Sequence, residues 1–238
     1  MRWNFRGVAL LALFVFVPIQ AADDKKADSG FTVDKEKKTV VIDCKIAPRK
    51  IDDPGYKEVY PLEVIATWPW AKEVGKGGQK AHETVVTFDK AVPPSAIHKA
   101  LEELGLKAGT PVMGGTAKDV PQGPEVEISL EFPGPDGQPK KIPVERALVD
   151  PKTKKPMPRL KWRFTGSVMV QPDPNNPAKV YGADITGTLI SIFPVTNQTV
   201  FQSHLSFADE KLIKLDTDKD LLPKEGTPCK LIIQPTGK

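Results

Sequence analysis

Apolar and polar residues alternate along much of this chain with a period of two. Val40, Ile42, Cys44 and Ile46 alternate with Val41, Asp43 and Lys45, the pattern of a strand with one face in a core. Leu62, Val64, Ala66, Trp68 and Trp70 repeat it over 60–70, and a Gly/Lys-rich loop at 75–80 leads into a third strand over 83–88. The clearest two-faced segment is 125–132, with Val126, Ile128, Leu130 and Phe132 on one side and Glu125, Glu127, Ser129 and Glu131 on the other. A turn signal follows at 133–137. Further strands are predicted at 142–149, 161–170, 184–193, 199–205 and 229–234. One segment has helical spacing: Ile97, Ala100, Leu101 and Leu104 fall at i, i+3, i+4 and i+7 and make one apolar face. Prolines 93 and 94 suit its start and Gly105 its end, which predicts a helix over 94–104. The fold class expected is α+β and β-rich, a mostly antiparallel sheet with one main helix packed on it.

The first residues break this pattern. Arg2 and Arg6 precede a nearly continuous apolar run to Ile19, and Gln20, Ala21 and Ala22 supply small residues for cleavage, as in a secretory signal peptide. A charged run follows at once, so no transmembrane anchor is expected after cleavage. The organisation expected is a signal peptide at 1–21, a flexible charged leader at 22–38, a main domain at 39–195, and a C-terminal extension at 196–238 closing on the same domain. The location expected is extracytoplasmic, periplasmic or secreted.

Composition narrows the chemistry. Hydrophobic residues at 39% can fill a core, and 24 prolines imply many loops and short elements. The net charge is +4, of which Arg2 and Arg6 contribute half, too little to indicate nucleic acid. Two cysteines, Cys44 and Cys229, cannot build a four-cysteine zinc or iron–sulfur site. Export would allow them to form a disulfide; the other reading is two separate buried thiols. No metal site and no cofactor is expected.

The candidate functional residues are His82, Glu83, Ser167 and Asp184. On a strand, His82 and Glu83 would point to opposite faces and could not easily serve one substrate atom. His82 reads as structural, buried and hydrogen-bonded where the third strand begins. HExxH is absent because position 86 is Val. Ser167 follows Gly166 without a G-x-S-x-G elbow. Glu125, Glu127 and Glu131 read as one solvated face. Asp216, Asp218 and Asp220 imitate a calcium loop but lack its glycine and final glutamate. Trp68 and Trp70 would share a face and could stack a sugar or a partner, or edge the core. The span 140–163 carries nine basic residues, Lys152, Lys154 and Lys155 among them, against Glu145 and Asp150. It is either a surface for an anionic polymer or a solvated loop.

The order of several short pieces carries a resemblance. Leu62-Glu63, His82-Glu83, the helix with Ala100, Leu101 and Leu104-Gly105, then Trp162-Arg163-Phe164-Thr165-Gly166-Ser167, Tyr181-Gly182-Ala183-Asp184, Gly187 and Leu189-Ile190-Ser191 together resemble the YdjY-domain family of exported bacterial proteins. The resemblance covers roughly 39–195 and implies no particular activity. A ferredoxin-like label attached to some members requires cysteines that this sequence lacks. The function expected is an exported, non-catalytic binding or structural module of the bacterial cell envelope, its partner an anionic envelope polymer or another exported protein. The alternative is an extracytoplasmic hydrolase using His82, Glu83, Ser167 and Asp184.

Overall fold

A computed structural model describes residues 1, 30–56, 58–73, 76–115 and 119–236. From residue 2 through residue 29, the segments expected as a signal peptide and a charged leader lie outside the described residues. In chain order the elements are β1 (Phe31–Asp34), β2 (Thr39–Ile46), β3 (Val64–Thr67), β4 (Val86–Phe88), α1 (Pro94–Glu103), β5 (Glu125–Pro133), β6 (Pro139–Pro143), β7 (Leu148–Val149), β8 (Trp162–Phe164), β9 (Met169–Val170), β10 (Val180–Tyr181), α2 (Ala183–Thr186), β11 (Thr188–Ser191), β12 (Phe201–Ser203), α3 (Phe207–Leu212), β13 (Asp216–Thr217) and β14 (Pro228–Pro235).

The alternating faces of β2, β5 and β14 meet at one core. Leu231 of β14 pairs with Ile42 of β2 on one side and with Leu130 of β5 on the other, and all three are fully buried. Burying such a side chain contributes roughly 1.5–3 kcal/mol. The sheet then continues through β8, β12, β11, β3 and β4, and β4 pairs back onto β2. The protein is therefore β-rich, as its pattern predicts, but the sheet is a closed eight-stranded barrel and not a sheet with a helix laid on it. Closure removes the exposed edges an open sheet would carry.

The long strands make closure possible by sharing their edges. Residues 39–42 of β2 pair with β1, and 44–46 pair with β4. Residues 129–133 of β5 pair with β6, and 125–126 pair with β8. This offset is the stagger that a barrel requires. Two neighbouring pairs in the ring, β11–β12 and β3–β4, are parallel. The other ring pairs are antiparallel.

Several expectations change. Ordered chain begins before Thr39, because Phe31 and Val33 of the charged leader pack on the core while β1 pairs with β2. Residues 196–238 are not an extension of a finished domain: β12 and β14 are staves, and β14 lies between β2 and β5. The strand expected at 142–149 is broken after Pro143 by a 3-10 turn over Val144–Ala147. The strand expected at 184–193 starts as α2, which Gly187 ends in the left-handed region at φ 71°. A side chain there would also strike the Trp68 ring, since a Cβ would lie 2.5 Å from it.

Helix α1 buries Ile97, Ala100 and Leu101. It packs against α2 and the barrel strand β2, and its His98 ring meets Phe164 of β8.

Candidate functional site

The loop between β3 and β4 doubles back so that residues 80–83 form a turn, with the Glu83 N–H donating to Lys80 O at 2.9 Å. His82 and Glu83 are thus not on a strand, and the expectation of opposite faces fails. His82 Nε2 lies 2.8 Å from Glu83 Oε1. Glu83 Oε2 accepts from Lys80 Nζ at 2.7 Å, and the same ammonium donates to Glu63. On the other side, Arg49 Nη1 donates to the His82 carbonyl and its Nε to Asp216 Oδ1, both at 3.0 Å. Arg49 also donates to the Tyr60 carbonyl. Five charged side chains therefore tie the 49–63 loop, the 80–83 turn and β13 together.

This arrangement separates the two carboxyls electrostatically. Burial opposes ionisation of Glu83, but hydrogen bonds from His82, Glu63 and Lys80 prevail and hold it down at about 2. Burial pushes Glu63 up, and its hydrogen bond to Glu83 adds to that against the pull of Lys80. Glu63 is therefore the member that takes up a proton first. Burial works against the Lys80 ammonium, yet the two carboxyls outweigh it and keep its pKa above the usual lysine value.

Rings close over this charge network. His82 is 7% exposed, with the Tyr56, Tyr60 and Trp70 rings at 4.4, 5.0 and 6.3 Å from its own. Tyr56 also meets Trp70 edge-on at 4.6 Å. Among the described residues, the only buried side-chain nitrogens or oxygens without a protein partner are His82 Nδ1 and Trp70 Nε1. Both belong to this cluster. Nothing in the spacing of residues 56, 60, 70 and 82 announces it.

Ser167 and Asp184 sit elsewhere, in the clasp between α1 and α2. Ser167 Oγ accepts from the Ala183 N–H at 3.0 Å and faces the Val168 and Asn197 carbonyls at 3.3 and 3.5 Å. Asp184 Oδ1 accepts from the Ser95 N–H at 2.8 Å. It caps α1 from a different helix, which matters because the N-cap residue Pro93 makes no side-chain cap. Tyr181 accepts from the Ser167 N–H at 3.0 Å and lies 2.7 Å from His98 Nδ1. Burial pushes the Tyr181 phenol far up. No hydrogen bond or ion pair links His82 or Glu83 to Ser167 or Asp184, so the four expected residues form two separate pairs.

The expected binding patch also divides. β3 ends at Thr67, so the alternation that would place Trp68 beside Trp70 stops short of them. Trp68 is buried and donates Nε1–H to Val92 O at 3.0 Å; it is core. Trp70 belongs to the ring cluster. Lys152, Lys154 and Lys155 are exposed on a turn, where Asp150 Oδ1 accepts from the Lys152 and Thr153 N–H groups at 2.7 and 2.9 Å.

A cleft of about 830 Å³ opens at one end of the long strands. Phe88, Cys44 and Cys229 sit opposite one another on β4, β2 and β14, and Phe132 follows one step beyond the Lys230–Glu131 pair. Asp43, Asp89 and Glu131 line it together with Lys45, Lys90 and Lys230. Both cysteines are free thiols. Burial pushes Cys229 up to about 12, and burial together with the neighbouring thiol raises Cys44 well above the usual range.

The molecule is thus a closed β-barrel with a helical clasp, a ring-covered charge network and an open cleft. Among the described residues no three metal-ligating side chains gather, and no helix is long and apolar enough to cross a membrane. The chain belongs to the YdjY-domain family, whose match runs over residues 31–234 and so takes in both β1 and β14. No curated protein and no solved structure matches it.

Proposed function

We propose that the protein is an exported, non-catalytic binding module of the bacterial cell envelope, and that the cleft at the end of β4, β2, β14 and β5 holds its partner. The observation that carries this reading is the cleft itself: a large concavity with aromatic walls and a charged rim is the usual form of a binding site. Its lining carries three acidic and three basic side chains. That balance suits a segment of another exported protein better than a uniformly anionic polymer. Against the hydrolase alternative, the Ser167 oxygen accepts from the Ala183 N–H, and among the described residues no hydrogen bond joins Ser167 to a histidine.

Capture of envelope components by the immobilised mature chain, with bound species identified by mass spectrometry, tests the proposal. One identified protein should be retained, and reversing Lys45, Lys90 and Lys230 to Glu should release it. Retention of an anionic polymer on residues 152–155 instead, or ester or glycan hydrolysis that depends on His82 or Ser167, would overturn it.

The same reading places Cys44 and Cys229 in an oxidising compartment. They face each other across β2 and β14, and we propose that they join there. Loop-closure entropy for so long a span would stabilise the fold by up to ~5 kcal/mol. Non-reducing mass spectrometry should find the mature chain lighter by two hydrogens with no alkylatable thiol. Two free thiols would refute the bond.

A further inference from the structure

The two polar atoms left without a protein partner, His82 Nδ1 and Trp70 Nε1, lie in one ring cluster, and their chemistry is complementary. Trp70 Nε1–H can only donate. His82 uses Nε2 on Glu83 at 2.8 Å, so Nδ1 is the free end of the imidazole. It accepts when the ring is neutral and donates when the ring is charged. A hydroxyl both donates and accepts, so it satisfies His82 in either state and Trp70 as well.

Two further observations define the ligand. The charged groups behind the rings are engaged with one another: Lys80 with Glu63 and Glu83, and Arg49 with Asp216. Two bases against three carboxyls leave neither Lys80 nor Arg49 free to hold an anion, which suits an uncharged molecule. Its surface is aromatic, with Tyr60 36% exposed at the rim. Tyr56 stands over both Trp70 and His82. It comes from the loop between β2 and β3, where its own N–H makes a local turn to Asp53 O at 2.9 Å.

We propose that this corner is a saccharide site: the apolar face of a pyranose stacks on Trp70 in place of the Tyr56 ring, and a sugar hydroxyl bonds Trp70 Nε1–H and His82 Nδ1. Tyr56 is the movable cover. None of these four ring residues lines the cleft, so the site is independent of the partner proposed there.

Titration of the 15N-labelled mature chain with cellotetraose and chitotetraose tests it. The Trp70 indole N–H resonance should move saturably. Those of Trp68 and Trp162, which donate to Val92 O and Glu145, should stay. Trp70→Phe keeps an aromatic face but loses the donor, and should weaken binding by at least roughly five- to tenfold, the effect of one hydrogen bond, with the rest of the spectrum unchanged. Tyr56→Ala removes the cover and should bind at least as tightly. The proposal is overturned if neither oligosaccharide moves the Trp70 resonance, or if Trp70→Phe binds as well as the unaltered chain. A long-lived water cross-relaxing with Trp70 N–H, without any response to sugar, would overturn it equally. Each failure leaves the cleft reading standing, because that is read from the Lys45, Lys90 and Lys230 reversals.

Discussion

The two polar corners of this barrel use similar residues to opposite ends. In the α1–α2 clasp, Ser167 and Asp184 are occupied by backbone N–H groups that helix starts would otherwise leave open. In the His82 corner, the charged side chains are engaged with one another, and two ring nitrogens meet no protein partner. The first corner holds helices in place. The second keeps polar atoms available beneath aromatic rings. Whether a buried polar residue is scaffold or site therefore turns on which of its atoms remain unmatched, and residue type does not decide it.

This contrast can be broken most forcefully from the scaffold side. Leu101 is fully buried on α1, so Leu101→Ala should cost about 2–5 kcal/mol in denaturant unfolding. A cost below ~1 kcal/mol would mean that α1 only decorates the barrel.

Acid should act mainly through the other corner. Glu83 titrates at about 2 in the fold, below its unfolded value near ~4.3. Its contribution is therefore complete above the unfolded value and lost as pH falls through the folded one. Asp216 acts in the same sense, because its bonds to Thr217 and Arg49 overcome burial and lower it. Glu63, raised in the fold, works oppositely: its contribution is present at low pH and lost as pH rises through its folded value. With two groups against one, stability should fall between pH 5 and pH 2, by on the order of 2 kcal/mol. Thermal melts across that range should show the fall, and Glu83→Gln should flatten it. An unchanged acid slope in that variant would remove Glu83 as the anchor of the corner.

The smallest expected effects sharpen the comparison most. Asp184→Ala removes the cap of α1 and should cost ~0.5–2 kcal/mol. Ser167→Ala leaves the Ala183 N–H unmatched and should cost about 1 kcal/mol. Neither should alter partner capture or saccharide response. Loss of either binding response with stability intact would place function in the clasp and reverse the assignment of the two corners.

Much of the fold was legible locally. The faces of β2, β5 and β14 follow from period-two alternation, and α1 follows from Pro94, Gly105 and its apolar spacing, because those signals arise between neighbours in the chain. β3 was legible only as a strand: all four of its residues are buried, so alternation carries no information about its faces. His82 and Glu83 misled because a turn and a strand start look alike when strand-forming residues follow immediately.

The sequence by itself determined which side chains of β2, β5 and β14 would face a core, where the helix would start and stop, and the family to which the chain belongs. Only the tertiary structure decided that the sheet closes, that Cys44 stands opposite Cys229, and that β14 is a stave. It alone brought Asp184 to Ser95, 89 positions away, and Arg49 to Asp216, 167 positions away. The physical reason is range. Alternation and capping are properties of adjacent residues, whereas ring closure and the matching of buried polar atoms depend on contacts whose loop entropy is met only when the whole barrel forms.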